Sequence, residues 1–589
     1  MKSLLSFYTE QSQNHQIKAD ALNKQMQGLS FLRLFVFVAT AYSIYITFNN
    51  WQLAIGIGVV GIALFLFLLV KYTNIKHKRN LERAIVAVNN TEIDIINNGY
   101  FNRPTGEEYQ DPNHEFSLDI DLFGRGSFYQ CLNRTYIKEG AEKLADALKA
   151  NHITQIEARQ EAIKELANKS IWRQNYSAVS SLIKVETPAR QINAWLSSYK
   201  PKFPMVLRVL PYVASVISLA LFALVYFEII SANYIGVFLL IGLVTTGFYL
   251  KSINVIASQT EKLKETFKQY ASLLTLIENE SFTSEMLLAK QKLITQEGEK
   301  ASLIFSDLSR LLDRLDNRNN LISAIFGNGL FLLDIKNAYA IEQWIKKYAN
   351  KTTEWFEVIS FFDAYNSLGN YTFNHKEFVF PVINDNEDVI QAKQLGHPLL
   401  KIKKRIDNNF NIKNEQFFII TGANMAGKST FLRTVSLHIV MANVGLPVCA
   451  KSSVYNPIKL ITSMRTSDSL TDDSSYFFSE LTRLKYIVDA IQTDKYFIVL
   501  DEILKGTNST DKAIGSRKFV EKLVASNATG IIATHDLSLC EISEELEEVK
   551  NYYFDAEIIN DELHFDYTFK TGICQNMNAS FLLKKMEII

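Results

Sequence analysis

The residues with the clearest chemistry run from Gly422 to Ser429 and read Gly-Ala-Asn-Met-Ala-Gly-Lys-Ser. This is the G-x-x-x-x-G-K-S pattern of a phosphate-binding loop. Glycines at its two ends let the backbone N–H groups of Gly422, Ala423, Asn424, Met425, Ala426 and Gly427 curl around a polyphosphate. Lys428 supplies a point charge for the β- and γ-phosphates. Ser429 offers a hydroxyl to Mg²⁺, and Thr430 completes the turn into a helix whose N-terminus adds its positive end. The cofactors expected are therefore ATP and Mg²⁺. A second site segment, Tyr496-Phe-Ile-Val-Leu-Asp501-Glu502, is an apolar strand ending in two acids. Asp501 would hold Mg²⁺, directly or through water. Glu502 would orient or deprotonate the attacking water, because phosphoryl transfer depends on positioning and charge neutralisation. A third, Thr534-His535-Asp536, ends the next apolar run, where His535 could hydrogen-bond the γ-phosphate or the water. Lys428, Glu502 and His535 are the expected catalytic set.

These groups need a scaffold. From Phe417 onward, short β-rich runs (417–421, 496–500, 530–534) alternate with helical patterns. That alternation predicts a C-terminal α/β domain with a parallel sheet. Upstream, from about Asn133 to Ser198 and from Val255 to about Tyr348, the periodicity is helical and predicts an all-α core, the second stretch long and charge-laced.

Four apolar stretches interrupt that helical part: about Phe31–Thr47, Leu53–Val70, Val209–Phe227 and Tyr234–Leu250. Each approaches the roughly 20 residues that cross a bilayer as a helix. They pair into two hairpins with short tips, Asn49–Gln52 and Glu228–Asn233, that lack Lys and Arg. The outer flanks carry Lys24, Arg33, Lys71, Lys76, Lys78, Arg79, Lys200, Lys202, Arg208 and Lys251. An excess of cations on the inner side predicts an integral membrane protein with four transmembrane helices, both termini and the ATPase part cytoplasmic.

Composition bounds the rest. The chain has 589 residues, 48% of them hydrophobic, which suits three or four folded units. Lys plus Arg and Asp plus Glu are balanced at 62 each, so global charge gives no sign of nucleic-acid binding. Cys131, Cys449, Cys540 and Cys574 are scattered, with no zinc or disulfide pattern. The first 28 residues are polar and have no signal-peptide pattern.

Taken together, these segments resemble the MutS family of DNA mismatch-repair ATPases. The family's loop reads Thr-Gly-Pro-Asn-Met-Gly-Gly-Lys-Ser-Thr, and Thr421–Thr430 differs from it at Ala423 and Ala426. The shared Asn424-Met425 is more specific than the generic loop. Ser475, Phe477 and Glu480, in the hydroxyl- and acid-rich run 468–480, match the family's Ser-x-Phe-x-x-Glu. In the family that signature reaches the nucleotide of the opposite subunit, so the resemblance implies a homodimer with composite sites. Asp501–Thr507 and Ala533-Thr534-His535 match two further family segments, and Leu132–Thr135 with Gly140, Ile156–Leu166 and Leu395–Leu400 extend the likeness to about residues 120–589.

The departures define the remaining expectations. Phe128-Tyr129-Gln130 lacks the Glu of the family's Phe-x-Glu mismatch reader and reads as the start of the helical core. The first 120 residues, occupied by a hairpin, leave no room for the family's reader and connector domains. Leu504 and Lys505 replace the family's Gly and Arg. The expected organisation is an N-terminal cytoplasmic segment (1–28), hairpin 1 (29–72), a linker and first part of the helical core (73–204), hairpin 2 (205–252), the helical core or lever (253–405) and a MutS-type ATPase domain (406–589). The expected function is a membrane-anchored MutS-like ATPase that dimerises, contacts the lipid bilayer through four helices and extends to DNA, mismatched or branched. The alternatives are a nucleotide-gated membrane scaffold for a protein partner without DNA, and a transporter subunit with a fused ABC-type ATPase. The transporter reading lacks its Leu-Ser-Gly-Gly-Gln signature.

Overall fold

The computed structural model describes residues 3–183, 188–260, 263–295, 298–423, 425–465, 476–559 and 562–575. Its two N-terminal apolar stretches are halves of longer helices, α1 (Leu4–Ile46) and α2 (Trp51–Asn98). Ser3 and Asn50 start them, each side chain accepting a first-turn N–H, from Ser6 and Leu53. The polar halves hold each other: His15 Nδ1 lies 2.5 Å from Glu82 Oε2, and Arg79 donates to Asn23 at 3.2 Å. The apolar halves around Phe35 and Val59 are exposed.

A helical body follows. Its first part is α3 (Phe128–Leu132), α4 (Lys138–Lys149), α5 (Ile156–Asn168), α6 (Ser170–Ser181) and α7 (Ala189–Ser198). Phe128, Tyr129 and Gln130 are buried in α3, where the Gln130 amide donates to the carbonyls of Phe101 and Arg103. These three residues therefore belong to the core. The second apolar hairpin is α8 (Leu210–Tyr226) and α9 (Asn233–Thr260). Next come α10 (Leu263–Glu278), α11 (Glu285–Ile294), α12 (Ala301–Asp316), the short α13 (Asn328–Phe331) and α14 (Leu333–Asn374). α14 packs against α4, α5, α7, α11 and α12 and so forms the axis of the body.

One expectation changes here. By length and composition, α1, α2 and α9 can cross a membrane, whereas α8, the fourth expected span, is apolar but only 17 residues long. Pro211 in its first turn and left-handed Glu228 (φ 59°) just past its end confine it. The long charged stretch from Val255 to about Tyr348 is divided among several helices, and apolar residues such as Phe267, Leu274, Phe305 and Leu308 fold α10 and α12 face to face.

Strands begin at Val382, ahead of residue 406. They are β1 (Val382–Ile383), β2 (Asp388–Leu395), β3 (Asn408–Lys413), β4 (Phe417–Gly422), β5 (Ser452–Tyr455), β6 (Lys459–Ser463), β7 (Tyr496–Asp501), β8 (Thr529–Ala533), β9 (Val549–Phe554), β10 (Ala556–Ile559), β11 (Glu562–Phe565) and β12 (Lys570–Thr571). The main sheet has the order β12-β9-β4-β8-β7-β6, parallel except for β12. A smaller sheet, β1-β5-β2-β3, lies beside it. Helices α15 (Lys428–Val444), α16 (Tyr476–Ala490), α17 (Ser509–Ala525) and α18 (Ile542–Glu545) connect the strands. β4, β7 and β8 read as unbroken apolar runs because both faces of a parallel sheet are covered. The result is a helix-rich N-terminal region followed by a C-terminal α/β sheet domain.

Candidate functional site

Register decides which side chains meet. Asp501 pairs with Ala533 across β7 and β8, and Ile420 of β4 pairs with the same Ala533. The carboxyl ends of three adjacent strands thus deliver the 422–429 loop, the Asp501-Glu502 pair and His535 to one edge, where open α/β sheets bind ligands. Gly422 sits at φ 148°, and a Cβ there would come 2.5 Å from the Phe554 carbonyl oxygen on β9. Gly427 (φ 101°) is left-handed and turns the chain into α15. Met425 (φ 68°), Glu502 (φ 50°) and Leu504 (φ 60°) adopt the left-handed region without being glycine. Such backbone persists only when its surroundings over-determine it. For Glu502 they do, since its N–H donates to the Ala533 carbonyl at 2.9 Å.

The side chains form one connected set. Ser429 Oγ donates to Asp501 Oδ2 at 2.7 Å. Lys428 Nζ donates to the carbonyls of Gly422 (2.7 Å) and Ala423 (3.0 Å) and lies 3.2 Å from His535 Nε2. The same His535 nitrogen is 3.2 Å from Glu502 Oε1, and Lys505 Nζ is 3.9 Å from the other Glu502 oxygen. Burial shapes the charges. It lowers the Lys428 pKa against the pull of the Asp501 and Glu502 carboxylates. It raises the Asp501 pKa against the Ser429 hydrogen bond. Burial, then the Lys428 charge, lowers the His535 pKa, so its ring is neutral at pH 7.

A cavity of about 590 Å³ opens over this set. One side is polar, with Lys428, Ser429, Thr430, Asp501, Glu502 and His535. The other is largely apolar, with Leu395, Leu400, Ile406 and Tyr567. The arrangement offers cationic and N–H donors for an anion, and a hydroxyl–carboxylate pair of oxygen ligands for a hard divalent cation. Among the described residues no cluster of three or more His, Cys, Asp or Glu could hold a metal by itself. A cation here would therefore lean on ligand oxygens as well.

Comparison with known proteins assigns the sheet domain. Residues 418–585 match the family described as MutS domain V. The sheet domain is thus similar to the corresponding domain of MutS proteins. The chain is 33% identical over 213 residues to human MutS protein homolog 4, covering 34% of this chain and 22% of that protein. It is 32% identical over 222 residues to the DNA mismatch repair protein MutS of Persephonella marina, covering 36% and 25%. With the same-named protein of Fusobacterium nucleatum it shares 35% over 187 residues, covering 30% and 20%. The matched part thus spans about a fifth to a quarter of the length of these relatives.

The sequence-predicted MutS residues divide by place. Ala423, Met425, Gly427, Lys428, Ser429, Thr430, Asp501, Glu502 and His535 line the cavity. Gly422 and buried Ala426 shape the loop from behind, and Asn424 lies outside the described residues. Ser475 of the inter-subunit signature also lies outside them. The other two signature residues pack within their own chain. Phe477 abuts Gly506, whose added Cβ would sit 2.8 Å from the Phe477 Cβ. Glu480 is buried and accepts the Lys505 N–H at 3.3 Å.

Sequence reasoning missed the far wall. His397 was visible within Leu395–Leu400 but was not assigned to the site. Burial, with Arg433 and Arg405 nearby, lowers its pKa to about 4. Asn408 ties the wall together, donating to the Tyr567 carbonyl at 3.0 Å and accepting the Phe569 N–H at 2.8 Å. No local signal marks Asn408 or Tyr567, which meet across more than a hundred residues of chain.

Proposed function

We propose that this chain is a membrane-anchored ATPase of the MutS type, with the cavity over Lys428 and Ser429 as its ATP site. The observation that carries the reading is the 2.7 Å contact between Ser429 and Asp501, set beside the Lys428–His535–Glu502 cluster. In this reading the loop N–H groups and Lys428 hold the phosphates, and the Lys428 ammonium leaves the Gly422 and Ala423 carbonyls to do so. Ser429 and Asp501 are the oxygens that would hold Mg²⁺. The ion, when bound, neutralises charge on the phosphate oxygens. Glu502 orients the attacking water and accepts its proton, and neutral His535 fixes the Glu502 carboxylate from the other side. The apolar wall of Leu400, Ile406 and Tyr567 suits a nucleobase.

Exposed apolar helices support the membrane half of the proposal, with α1, α2 and α9 as spans and α8 as a shorter partner of α9. The names of the relatives point to DNA, and the family signature at Phe477 and Glu480 points to a homodimer. DNA binding and dimerisation are therefore part of the proposal.

The test is ATP turnover by the full chain in detergent, with Glu502→Gln and Lys428→Ala. Glu502→Gln is expected to abolish hydrolysis and keep nucleotide binding, because it removes the base and leaves the phosphate cradle. Undiminished hydrolysis in Glu502→Gln would sink the assignment. DNA is tested separately with homoduplex, mismatched and branched duplexes across a salt series, since phosphate contacts weaken steeply as salt rises. Absence of binding to all three would leave the protein-scaffold reading.

A further inference from the structure

The segment between α12 and α14 reads Asn320-Leu-Ile-Ser-Ala-Ile-Phe-Gly-Asn-Gly-Leu-Phe-Leu-Leu333 and holds no charged residue. It folds as a π-helical turn (Ser323–Gly327) running into α13, then reverses at Leu332, which is left-handed (φ 52°). Soluble cores bury such a segment on all sides. Here Leu321, Ile322 and Phe326 are 72%, 69% and 52% exposed.

The other face is packed against the second hairpin, backbone to backbone. A Cβ on Gly242 of α9 would overlap the Gly329 carbonyl, and one on Gly329 would come 2.6 Å from Leu239 Cγ. Ser218 of α8, itself buried, donates its hydroxyl to the Leu330 carbonyl at 2.6 Å. Small residues at the crossing and a hydroxyl reaching across helices are the means by which helices associate in lipid. The polar backbone of the turn is also served from within the protein. Asn328 Oδ1 accepts the Asp334 N–H at 2.9 Å, and the Ala324 N–H reaches the Asn320 carbonyl at 2.8 Å. Non-helical backbone survives at membrane depth only under that condition.

Depth follows from the helix rise. At the base of the segment a polar collar joins it to the hairpin: Arg318 bonds Asn254 and lies 3.8 Å from Asp334, and Lys336 sits over the Tyr212 ring at 4.6 Å. At about 1.5 Å per residue, Gly242 lies about 18 Å along α9 from Asn254, and Ser218 about 9 Å along α8 from Tyr212. The turn therefore reaches well into a hydrocarbon layer about 30 Å thick. The hairpin beside it exposes apolar side chains as well, among them Val216, Leu219, Leu240 and Val244.

We propose that residues 321–332 are a re-entrant wedge, a further membrane element in which Leu321, Ile322 and Phe326 contact lipid acyl chains beside α8 and α9. The proposal rests on reading α8 and α9 as a membrane hairpin. The wedge leads straight into α14, so the axis of the helical body starts at the polar collar, at the edge of the bilayer.

Site-directed nitroxide labelling of the full chain in phosphatidylcholine/phosphatidylglycerol vesicles tests it. Ile322→Cys and Phe326→Cys are compared with Ile241→Cys on α9 and Leu303→Cys on α12, with the unsubstituted chain as the blank for native cysteines. All four side chains are more than half exposed, so the substitutions leave packing alone. The labels at 322 and 326 are expected to match the one at 241, accessible to oxygen with loss of accessibility to a water-soluble nickel chelate, while 303 shows the reverse. If 241 is lipid-facing and 322 and 326 meet nickel, the wedge is wrong and the hairpin stands. If 241 also meets nickel, the membrane reading itself falls and takes the wedge with it. If 322 and 326 are shielded from both reagents, the face is covered by protein such as a second copy, which also overturns lipid contact.

Discussion

His535 shares one ring nitrogen between Lys428 and Glu502, each at 3.2 Å. A neutral ring can accept from Lys428 or, in its other tautomer, donate to Glu502. A protonated ring places a second positive charge against Lys428. Its pKa is lowered from 6.5, chiefly by burial, so protonation sets in only below the ordinary histidine range. ATP turnover is therefore expected to hold from pH 8 down to about 6.5 and to fall below it. In His535→Gln, kcat should drop about 10²-fold or more, as for lost proton-transfer geometry, and the limb below pH 6.5 should flatten. A pH–rate profile unchanged by His535→Gln would remove His535 from the mechanism. The site was legible at this scale because its chemistry is carried by residue types at fixed spacing beside a strand end. The far wall was not, because Asn408 and Tyr567 acquire meaning only when β3 and the segment after β11 are brought together.

Elements are held by buried polar groups that local periodicity cannot reveal. Asp363, in the middle of α14, is fully enclosed, and its Oδ2 accepts the N–H groups of Tyr136 and Ile137, each at 3.1 Å, at the start of α4. A Cβ on Gly140 would meet Asp363, so Gly140 is there to let α4 close on α14. Burial outweighs the two N–H bonds and pushes the Asp363 pKa up to about 7 from an ordinary 3.8. The folded chain thus keeps a proton that the unfolded chain gives up. This contribution to stability is complete below about pH 4 and is lost as pH rises through about 7. Asp363→Asn keeps an oxygen for both N–H groups and cannot ionise. Its apparent Tm is expected to match that of the parent in pH trend below about 4, to gain on it progressively between about pH 4 and 7, and to keep a constant lead above that. Asp363→Ala, which orphans both N–H groups, should cost about 1–3 kcal/mol near pH 4, where the parent carboxyl keeps its proton. Thermal unfolding of the three proteins across that range checks the sign. His438 of α15 shows the opposite case. Burial lowers its pKa to about 4, so His438 withdraws stability as pH falls from about 6.5 towards 4. Helices and strands could be read from pattern. The split of the 255–348 stretch could not, because its breaks come from α10 and α12 folding onto each other.

For the whole molecule the question is whether one chain makes a complete site. Glu480 and Phe477 pack on their own 502–507 loop and do not line the cavity. Two apolar side chains of this domain stand exposed: Met425 at 75% on the loop that lines the cavity, and Phe478 at 62% on the first turn of α16. A second sheet domain set against this face would cover both and would bring its own 475–480 segment to the phosphates, as the family signature implies. Activity would then require association. In detergent, turnover per chain should be constant at high concentration and fall in proportion to concentration once the dimer dissociates. Phe478→Glu should move that fall to higher concentration without touching any group that holds nucleotide, since a carboxylate in a closing apolar face is costly to desolvate. Light scattering on the same samples locates the monomer. Full turnover per chain in samples that scatter as monomers would mean that each site is complete alone and that the exposed face serves another partner.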